Sequence, residues 1–245
     1  MSLRLLLLCL VVFPLAAENI RVIRFAESDP FRMGDVTSRR IVHPGLGAKK
    51  TTLNLSVSKP GAEFAQHVHD YSDDTILVLD GEVNLRQGDS LRLFKTGQCA
   101  FVPTGQIHGT VTAGEKEATM ISFQNPPDLI LYSGARDSKK TGIAPKGLIT
   151  PNAVKYVNFN KKNGIFSGPP EGSLRATGTH RKLKPGEKFH LSFADGGEGI
   201  LFIWRGAIRA NEFKAGERDT IFVQGKAELD IVADGATELI QILAP

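Results

Sequence analysis

The chain has 245 residues, enough for one large domain or two small ones. Its 30 Lys and Arg residues and 26 Asp and Glu residues give a formal net charge of +4, and the basic residues form isolated pairs without interleaved aromatic residues, so we expect no nucleic-acid binding. Cys9 and Cys99 are the two cysteines in the sequence, which excludes a disulfide-rich scaffold.

The N-terminus has the pattern of a secretory signal peptide. Arg4 precedes an apolar run from Leu5 to Leu15, and small residues follow at Ala16 and Ala17. The run is shorter than the roughly 20 apolar residues that a membrane-spanning helix needs. We therefore predict a signal peptide at residues 1–17, a secreted, periplasmic protein, and no stable membrane insertion after cleavage.

Residues 18–125 contain short segments rich in β-branched and apolar residues, separated by turn signals. One of these signals, Asp80-Gly81, is typical of a tight hairpin turn because Gly accepts a positive φ. The segments are Leu53–Val57, Glu63–His69, Thr75–Leu79, Val83–Arg86, Ser90–Phe94, Ala100–Val102, Gly109–Val111 and Ala118–Phe123. Regular short strands with no long amphipathic period predict an all-β fold with little helix.

A cluster of metal-ligand residue types falls within these strands. His67 and His69 are two positions apart, so on one strand their side chains point to the same face. His108 lies in a second glycine-rich motif, and Asp74 follows the histidine pair. Imidazole and carboxylate ligands suit one divalent transition-metal ion such as Mn, Fe, Cu, Zn or Ni. Three histidines in this arrangement favour a metal site over histidines that serve only packing.

The spacing of the two motifs resembles that of the cupin superfamily. The landmarks in register are Gly61, His67, His69, Gly81, Gly97, Pro103, Gly105 and His108. Asp74 stands where the family usually has Glu, and Thr112 where it usually has Asn. The resemblance implies an antiparallel, jelly-roll-like double-stranded β-helix with the ion in the mouth of the barrel. Asp74 is either a direct ligand or a partner that orients a histidine, and Asp73, which strand parity puts on the opposite face, is its competitor.

Residues 126–165 differ in composition from the strands on either side. Pro, Gly, Ser and Lys dominate, with one apolar stretch from Leu129 to Tyr132. We predict a linker that crosses between two units, with its apolar stretch packed on a barrel and its basic part exposed.

Residues 166–245 repeat the sequence pattern of the first unit. Gly186 and Gly206 repeat Gly61 and Gly81 at a constant offset. In this register the ligand positions hold Ser192, Ala194 and Gly199. The whole chain is thus predicted to be a bicupin, two cupin-type barrels, in which the C-terminal barrel has lost its metal site.

A rival alignment with a two-residue gap brings His190 and Glu198 into the second motif, but it supplies a single imidazole. The C-terminal barrel is then expected to be structural and to cover a sheet face or edge of the first barrel. A homodimer through this barrel is the alternative to that supporting role.

Two classes of function fit these features. In the first, the chain is an exported metalloenzyme acting on a small, oxygen-rich organic substrate. The resemblance to cupins with this ligand type implies a dioxygenase. The alternative within this class is a lyase or isomerase acting on a sugar acid. In the second class the ion binds a small ligand or carbohydrate without turnover. Fold alone does not choose between them.

The sequence assigns no catalytic acid or base. The polar side chains near the histidines are Glu63, Asp70, Tyr71 and Asp73. We interpret the apolar residues of the predicted pocket as packing residues of the barrel core. They are Phe64, Ile76, Phe101 and Ile121.

Overall fold

The structure is a computed structural model, and it describes residues 19–133, 135–161 and 163–245. The predicted signal peptide, residues 1–17, lies outside the described residues. In the described part of the chain, no helix has the length and apolar character needed to cross a membrane.

The described residues form 21 strands and two short α-helices, which confirms the all-β prediction. The first group of strands is β1 (Ile20–Ile23), β2 (Asp29–Met33), β3 (Val36–Val42), β4 (Leu53–Ser58), β5 (Glu63–His67), β6 (Asp73–Asp80), β7 (Glu82–Gln87), β8 (Ser90–Lys95), β9 (Gln98–Val102), β10 (His108–Ala113) and β11 (Ala118–Asn125). The helices α1 (Leu129–Tyr132) and α2 (Ser138–Thr141) follow. The second group is β12 (Lys155–Asn158), β13 (Gly164–Ser167), β14 (Thr177–Leu183), β15 (Lys188–Phe193), β16 (Glu198–Arg205), β17 (Ile208–Ala210), β18 (Phe213–Ala215), β19 (Thr220–Gln224), β20 (Ala227–Ala233) and β21 (Thr237–Ala244).

Each barrel consists of two antiparallel sheets. In the N-terminal barrel, a seven-stranded sheet of order β12-β9-β6-β11-β4-β3-β2 faces a four-stranded sheet of order β5-β10-β7-β8. In the C-terminal barrel, a six-stranded sheet of order β1-β19-β16-β21-β14-β13 faces a four-stranded sheet of order β15-β20-β17-β18. The repeated arrangement is that of a bicupin.

The chain crosses between the barrels in two places that the sequence does not reveal. Strand β1, at the start of the predicted N-terminal domain, pairs with β19 of the C-terminal barrel. Strand β12, within the predicted linker, pairs with β9 of the first barrel, and β13, which spans the end of that linker, pairs with β14 of the second. These short strands cover sheet edges whose backbone groups would otherwise lack partners.

The two large sheets pack face to face and form one hydrophobic core between the barrels. Residues from both sheets share this core, among them Leu55, Leu77, Phe123, Phe202 and Ile240. Each sheet therefore has one face against the other barrel and one face toward its own barrel interior. The burial of the first barrel's sheet face agrees with the supporting role predicted for the C-terminal barrel.

The Asp80-Gly81 signal does not form the hairpin that the sequence predicts. Strand β6 pairs with β9 and β11, whereas β7 pairs with β8 and β10, so Gly81 is the corner at which the chain passes from one sheet to the other. Its φ is 83°, and an added Cβ would lie 2.9 Å from the Ala118 Cα. Glycine is needed here for a close approach between chain segments.

A buried carboxylate fastens the two barrels to each other. Glu198, at the start of β16, accepts hydrogen bonds from the backbone N–H groups of Lys49, Lys50 and Thr51 in the first barrel at 2.7 to 3.1 Å. Its relative exposure is 4%. Because its oxygens are engaged in this way, Glu198 has a structural role instead of the ligand role that the gapped alignment suggests.

We expect Glu198→Ala to lower the free energy of unfolding by about 3 kcal/mol, because it leaves buried N–H groups without an acceptor and hydrogen bonds to charged groups contribute ~1.5–3 kcal/mol each. Urea unfolding followed by circular dichroism measures the change. The exposed Glu115→Ala is the matched control. Equal stability of the two variants would show that the Glu198 hydrogen bonds do not stabilise the protein.

Candidate metal centre

The four predicted ligands lie at the ends of strands on one side of the first barrel. His67 ends β5, and His108, the first residue of β10, lies directly opposite it in the strand register. Asp74 is the second residue of β6. His69 follows the end of β5, so it reaches the site from the loop and not from the strand that the sequence predicts. All four side chains are buried.

The structure brings these side chains together. One potential ligand atom from each of the four residues lies within 4.8 Å of the others. The imidazole centroids of His67 and His108 are 4.3 Å apart, and those of His67 and His69 are 4.8 Å apart. Bonds of ~2.1 Å place opposite ligands of a transition-metal ion ~4.2 Å from each other. The four residues are therefore close enough together to hold one ion.

Each histidine is oriented through its Nδ1 atom. The Nδ1–H group of His67 donates to the Ala65 carbonyl at 2.8 Å, and that of His108 donates to the Gln106 carbonyl at 3.0 Å. The Nδ1–H group of His69 donates to the Asp128 carboxylate at 2.8 Å. Since carbonyl and carboxylate oxygens only accept, Nδ1 carries a proton in each histidine, and Nε2 is the atom that can face an ion. The Nε2 atom of His108 lies 3.3 Å from Asp74 Oδ2.

Buried polar atoms without partners show that the residues fit a bound cation. His67 Nε2, His69 Nε2 and Asp74 Oδ1 have no hydrogen-bond partner, although buried polar groups are almost always satisfied. Three imidazole nitrogens and a carboxylate oxygen form a donor set of the kind used for transition metals rather than for Mg or Ca. These three unpartnered atoms belong to three of the four predicted ligands.

The pKa values of the site differ from one group to the next because burial and neighbouring charges act in opposite directions. Burial, together with the neighbouring His108 and His69 imidazoles, holds the pKa of His67 well below its usual range. Burial also opposes charge on His69, but its hydrogen bond with Asp128 and the nearby Asp74 carboxylate raise the pKa of that imidazole to about 9. The pKa of Asp74 is lowered, because contacts with His108 and His69 outweigh the effect of burial. A divalent ion would be stabilised by the same carboxylates.

Asp128 is a site residue that the sequence did not reveal. One of its oxygens accepts from His69, and the other accepts from the backbone N–H groups of Ile130 and Leu131 as the N-cap of α1. An Asp before an apolar run is a recognisable N-cap signal. Its contact with His69, 59 residues earlier, exists only in the folded chain.

The ligands border a small cavity in the barrel. Its volume is about 30 Å³, above the ~10–15 Å³ that a cavity needs to hold one water molecule. Phe64 and Leu131 line it together with the metal-ligand cluster. The polar lining residues Asn54, Ser56, Ser122 and Gln124 were not foreseen, because their alternation with apolar residues predicts an exposed face, whereas here both faces of the strands are buried.

The four polar side chains considered as acids or bases are engaged elsewhere. Glu63 contacts Arg86 at 3.0 Å, and Asp70 pairs with Arg136. Tyr71 is exposed. Asp73 accepts hydrogen bonds from the backbone N–H and hydroxyl of Thr104. Asp73 and Asp74 thus serve different partners, as strand parity predicts.

The corresponding part of the C-terminal barrel is filled by an aromatic ring. Gly199 occupies the position of Asp74, and an added Cβ there would lie 2.0 Å from the Phe193 ring. The Ser192 side chain is on the exposed face and donates to Glu228. His190 also lies on that face, where it contacts Glu228 and Asp230. His190 and Glu198 are therefore held by different partners, and the gapped alignment has no structural counterpart.

The fold and site define a bicupin with one candidate metal centre among its described residues, and comparisons with known proteins agree. Residues 54–123 match the cupin domain family. The chain is 26% identical to protein SchB of Streptomyces halstedii over 139 residues, 54% of this chain and 98% of that protein.

Two solved structures show the same fold. The bacterial pirin YhhW of Escherichia coli, in complex with nickel(II), has a TM-score of 0.71 and 16% identity, covering 92% of this chain and 99% of that one. An oxalate decarboxylase variant from Bacillus subtilis has a TM-score of 0.67 and 11% identity, covering 91% and 76%. The described chain therefore has the cupin fold, and residues 54–123 match the cupin domain.

We expect replacement of His67, His69 or His108 by Ala to reduce metal affinity by well over the ~10- to 100-fold typical of residues outside the ligand shell, because each would remove a direct bond. Elemental analysis at matched protein concentration measures the bound ion. His190→Ala in the other barrel is the control and should retain the metal. Full occupancy in His67→Ala would refute the site.

Asp74 and Asp128 should differ in the size of their effects. Asp74→Ala should reduce metal affinity about as much as a histidine replacement, whereas Asp128→Ala, which frees His69 to turn, should reduce it ~10- to 100-fold. Titration against a metal-chelating dye measures both constants. Asp73→Ala is the neighbouring control. Unchanged affinity in Asp74→Ala would leave a three-histidine centre.

Proposed function

We propose that this chain is an exported, metal-dependent bicupin enzyme that acts on a small, oxygen-rich organic substrate by dioxygenase-type chemistry. The observation that carries the proposal is the convergence of three buried imidazoles and one carboxylate on a cavity with polar residues in its wall. Nε2 of His67 and His69 and Oδ1 of Asp74 have no hydrogen-bond partner. Perturbed titratable groups in a cavity are typical of functional sites.

The chain's residues have distinct roles in this proposal. His67, His69, Asp74 and His108 hold the ion, and Asp128 orients His69. A bound ion supplies Lewis-acid polarisation of an oxygen pair on the substrate and, when redox-active, access to dioxygen. Phe64 and Leu131 give the cavity apolar walls beside the ion. The identity of the ion, from Mn, Fe, Cu, Zn or Ni, is left to measurement.

Substrate entry requires a change in the cover of the cavity. A volume of about 30 Å³ is too small for an organic molecule of several heavy atoms. Leu131 is buried on α1 against Phe31, Met33 and Ala65, while its neighbours Leu129 and Ile130 are exposed. A four-residue helix is easily displaced, because most of its stability comes from packing. We propose that α1 moves to admit the substrate.

The placement of the acid and base candidates favours oxidative chemistry over lyase or isomerase chemistry. Proton transfer to carbon or oxygen usually needs a positioned side chain within hydrogen-bond reach. Glu63, Asp70 and Asp73 are bound to Arg86, Arg136 and Thr104. The described cavity lining offers amides, hydroxyls and the proposed ligands, which suits a reaction that proceeds between the bound substrate and dioxygen.

Oxygen uptake tests the proposal. Protein purified without added metal from the periplasm of a bacterial host should begin at Glu18 and contain one ion per chain by elemental analysis. We expect it to consume dioxygen with a member of a panel of phenols, diketones and uronic acids. His67→Ala is the inactive control, and His190→Ala should behave as the unmodified protein.

The other outcomes identify the alternatives. Conversion of a uronic acid without oxygen uptake would replace the dioxygenase with a lyase or isomerase. Metal-dependent binding of a panel member without any product would replace the enzyme with a binding module. Protein that keeps its first 17 residues and stays in the cytoplasm would overturn the predicted export.

A further inference from the structure

Two amide side chains line the cavity beside the proposed ligands. Asn54 on β4 and Gln124 on β11 point to the barrel interior, because the alternate residues Leu55 and Phe123 belong to the core between the barrels. Gln124 lies directly opposite Asp74 in the strand register. Asn54 lies opposite Ser122, two residues from Gln124. Neighbours in this arrangement have side chains within reach of one small ligand.

Both amides are almost fully buried and incompletely satisfied. The relative exposure is 4% for Asn54 and 1% for Gln124. Asn54 Oδ1 and Gln124 Oε1 have no hydrogen-bond partner, and neither has the adjacent Asp74 Oδ1. Buried polar groups without partners destabilise a fold. The ion would engage Asp74, so the two amide oxygens remain as unpartnered acceptors on one cavity wall, and they indicate that a donor is supplied by a bound molecule.

The backbone holds Gln124 in place. Its N–H donates to the Thr52 hydroxyl and its carbonyl accepts from the Thr52 N–H, both at 3.1 Å. The residue is thus fixed by main-chain bonds that leave its side chain free for a ligand. Fixed polar groups of this kind are suited to selective recognition, because they lose little freedom on binding.

The second barrel shows that the fold does not require a glutamine at this position. Gln124 pairs with Asp74 in β11 and β6, and the equivalent pair in β21 and β16 is Leu243 with Gly199. Where the carboxylate is absent, the amide is absent as well. The barrel fold therefore does not need an amide at this position, and the amide is found in the barrel that has the proposed metal site.

We propose that Asn54 and Gln124 are specificity-determining residues that bind a hydroxyl group next to the oxygen pair held by the ion. The substrate class is then a polyhydroxylated acid or phenol instead of a simple diketone or an unsubstituted dicarboxylate. This inference rests on the proposed function, since it needs an ion that holds the substrate's oxygen pair.

Matched pairs of probes test the inference. Lactate and glycerate have the same α-hydroxy carboxylate, but glycerate has one more hydroxyl; catechol and pyrogallol differ in the same way. Calorimetry with the Zn(II)-loaded full chain measures binding without turnover. We expect a preference for the extra hydroxyl on the order of a hundredfold, since sites that hydrogen-bond a substrate hydroxyl strongly reject analogues without it.

Two near-isosteric variants remove the amides. Gln124→Met and Asn54→Leu should reduce the preference to within about threefold, with unchanged Zn(II) content. Because they remove unpartnered buried groups, their thermal midpoints should stay equal or rise. Gln241→Met is the control in the other barrel. Gln241 accepts from Arg181 at 2.8 Å, so this variant should lose stability and keep the preference.

Each other result overturns the inference in a distinguishable way. Equal binding of both members of each pair to the unmodified protein would remove the hydroxyl specificity and leave the proposed function standing. An unchanged preference in both variants would assign it to other residues. Loss of Zn(II) from Gln124→Met would make Gln124 a positioning residue for Asp74. Binding of none of the four probes would refute the inference together with the proposed function.

Discussion

Face-to-face packing of the two large sheets is the constraint on which the rest of the structure depends. It buries the outer face of β4, β6 and β11 against the C-terminal barrel, so most residues on both faces of these strands are buried. Their inner faces line the first barrel and hold Asn54, Asp74 and Gln124. In an ordinary half-exposed sheet, alternating polar residues would be solvated. Here they are enclosed, and they need partners within the protein or in a ligand.

Enclosure also sets the electrostatics of the site. Charged groups in a low-dielectric interior interact more strongly than groups in water, so Asp74 and Asp128 together raise the pKa of His69 even though burial alone lowers it. The same carboxylates make the centre suitable for a cation. Asp128 further joins His69 to the short helix α1 that covers the cavity. Asp128 thus both orients the ligand His69 and caps the helix that borders the cavity.

The two barrels show how the same fold carries and loses a site. In the first, Asp74 faces the cavity with Gln124 opposite it. In the second, Gly199 and Leu243 take these positions and the Phe193 ring fills the space. The second interior is consequently an apolar core that stabilises its barrel. Its contribution to the first barrel is structural, through the shared core and through Glu198, which binds backbone N–H groups of Lys49–Thr51.

The sequence by itself determined the all-β class, the duplicated barrel and the four clustered residues, because strand alternation and motif spacing are local properties. It did not determine the corner at Gly81, the exchange of β1 into the other barrel, or the contact between His69 and Asp128. The functional meaning of Asn54 and Gln124 was also hidden, since a polar residue on a strand has the same local pattern whether its face meets water or a cavity. Only the tertiary structure decides that, because burial depends on which sheets pack together over long sequence separations.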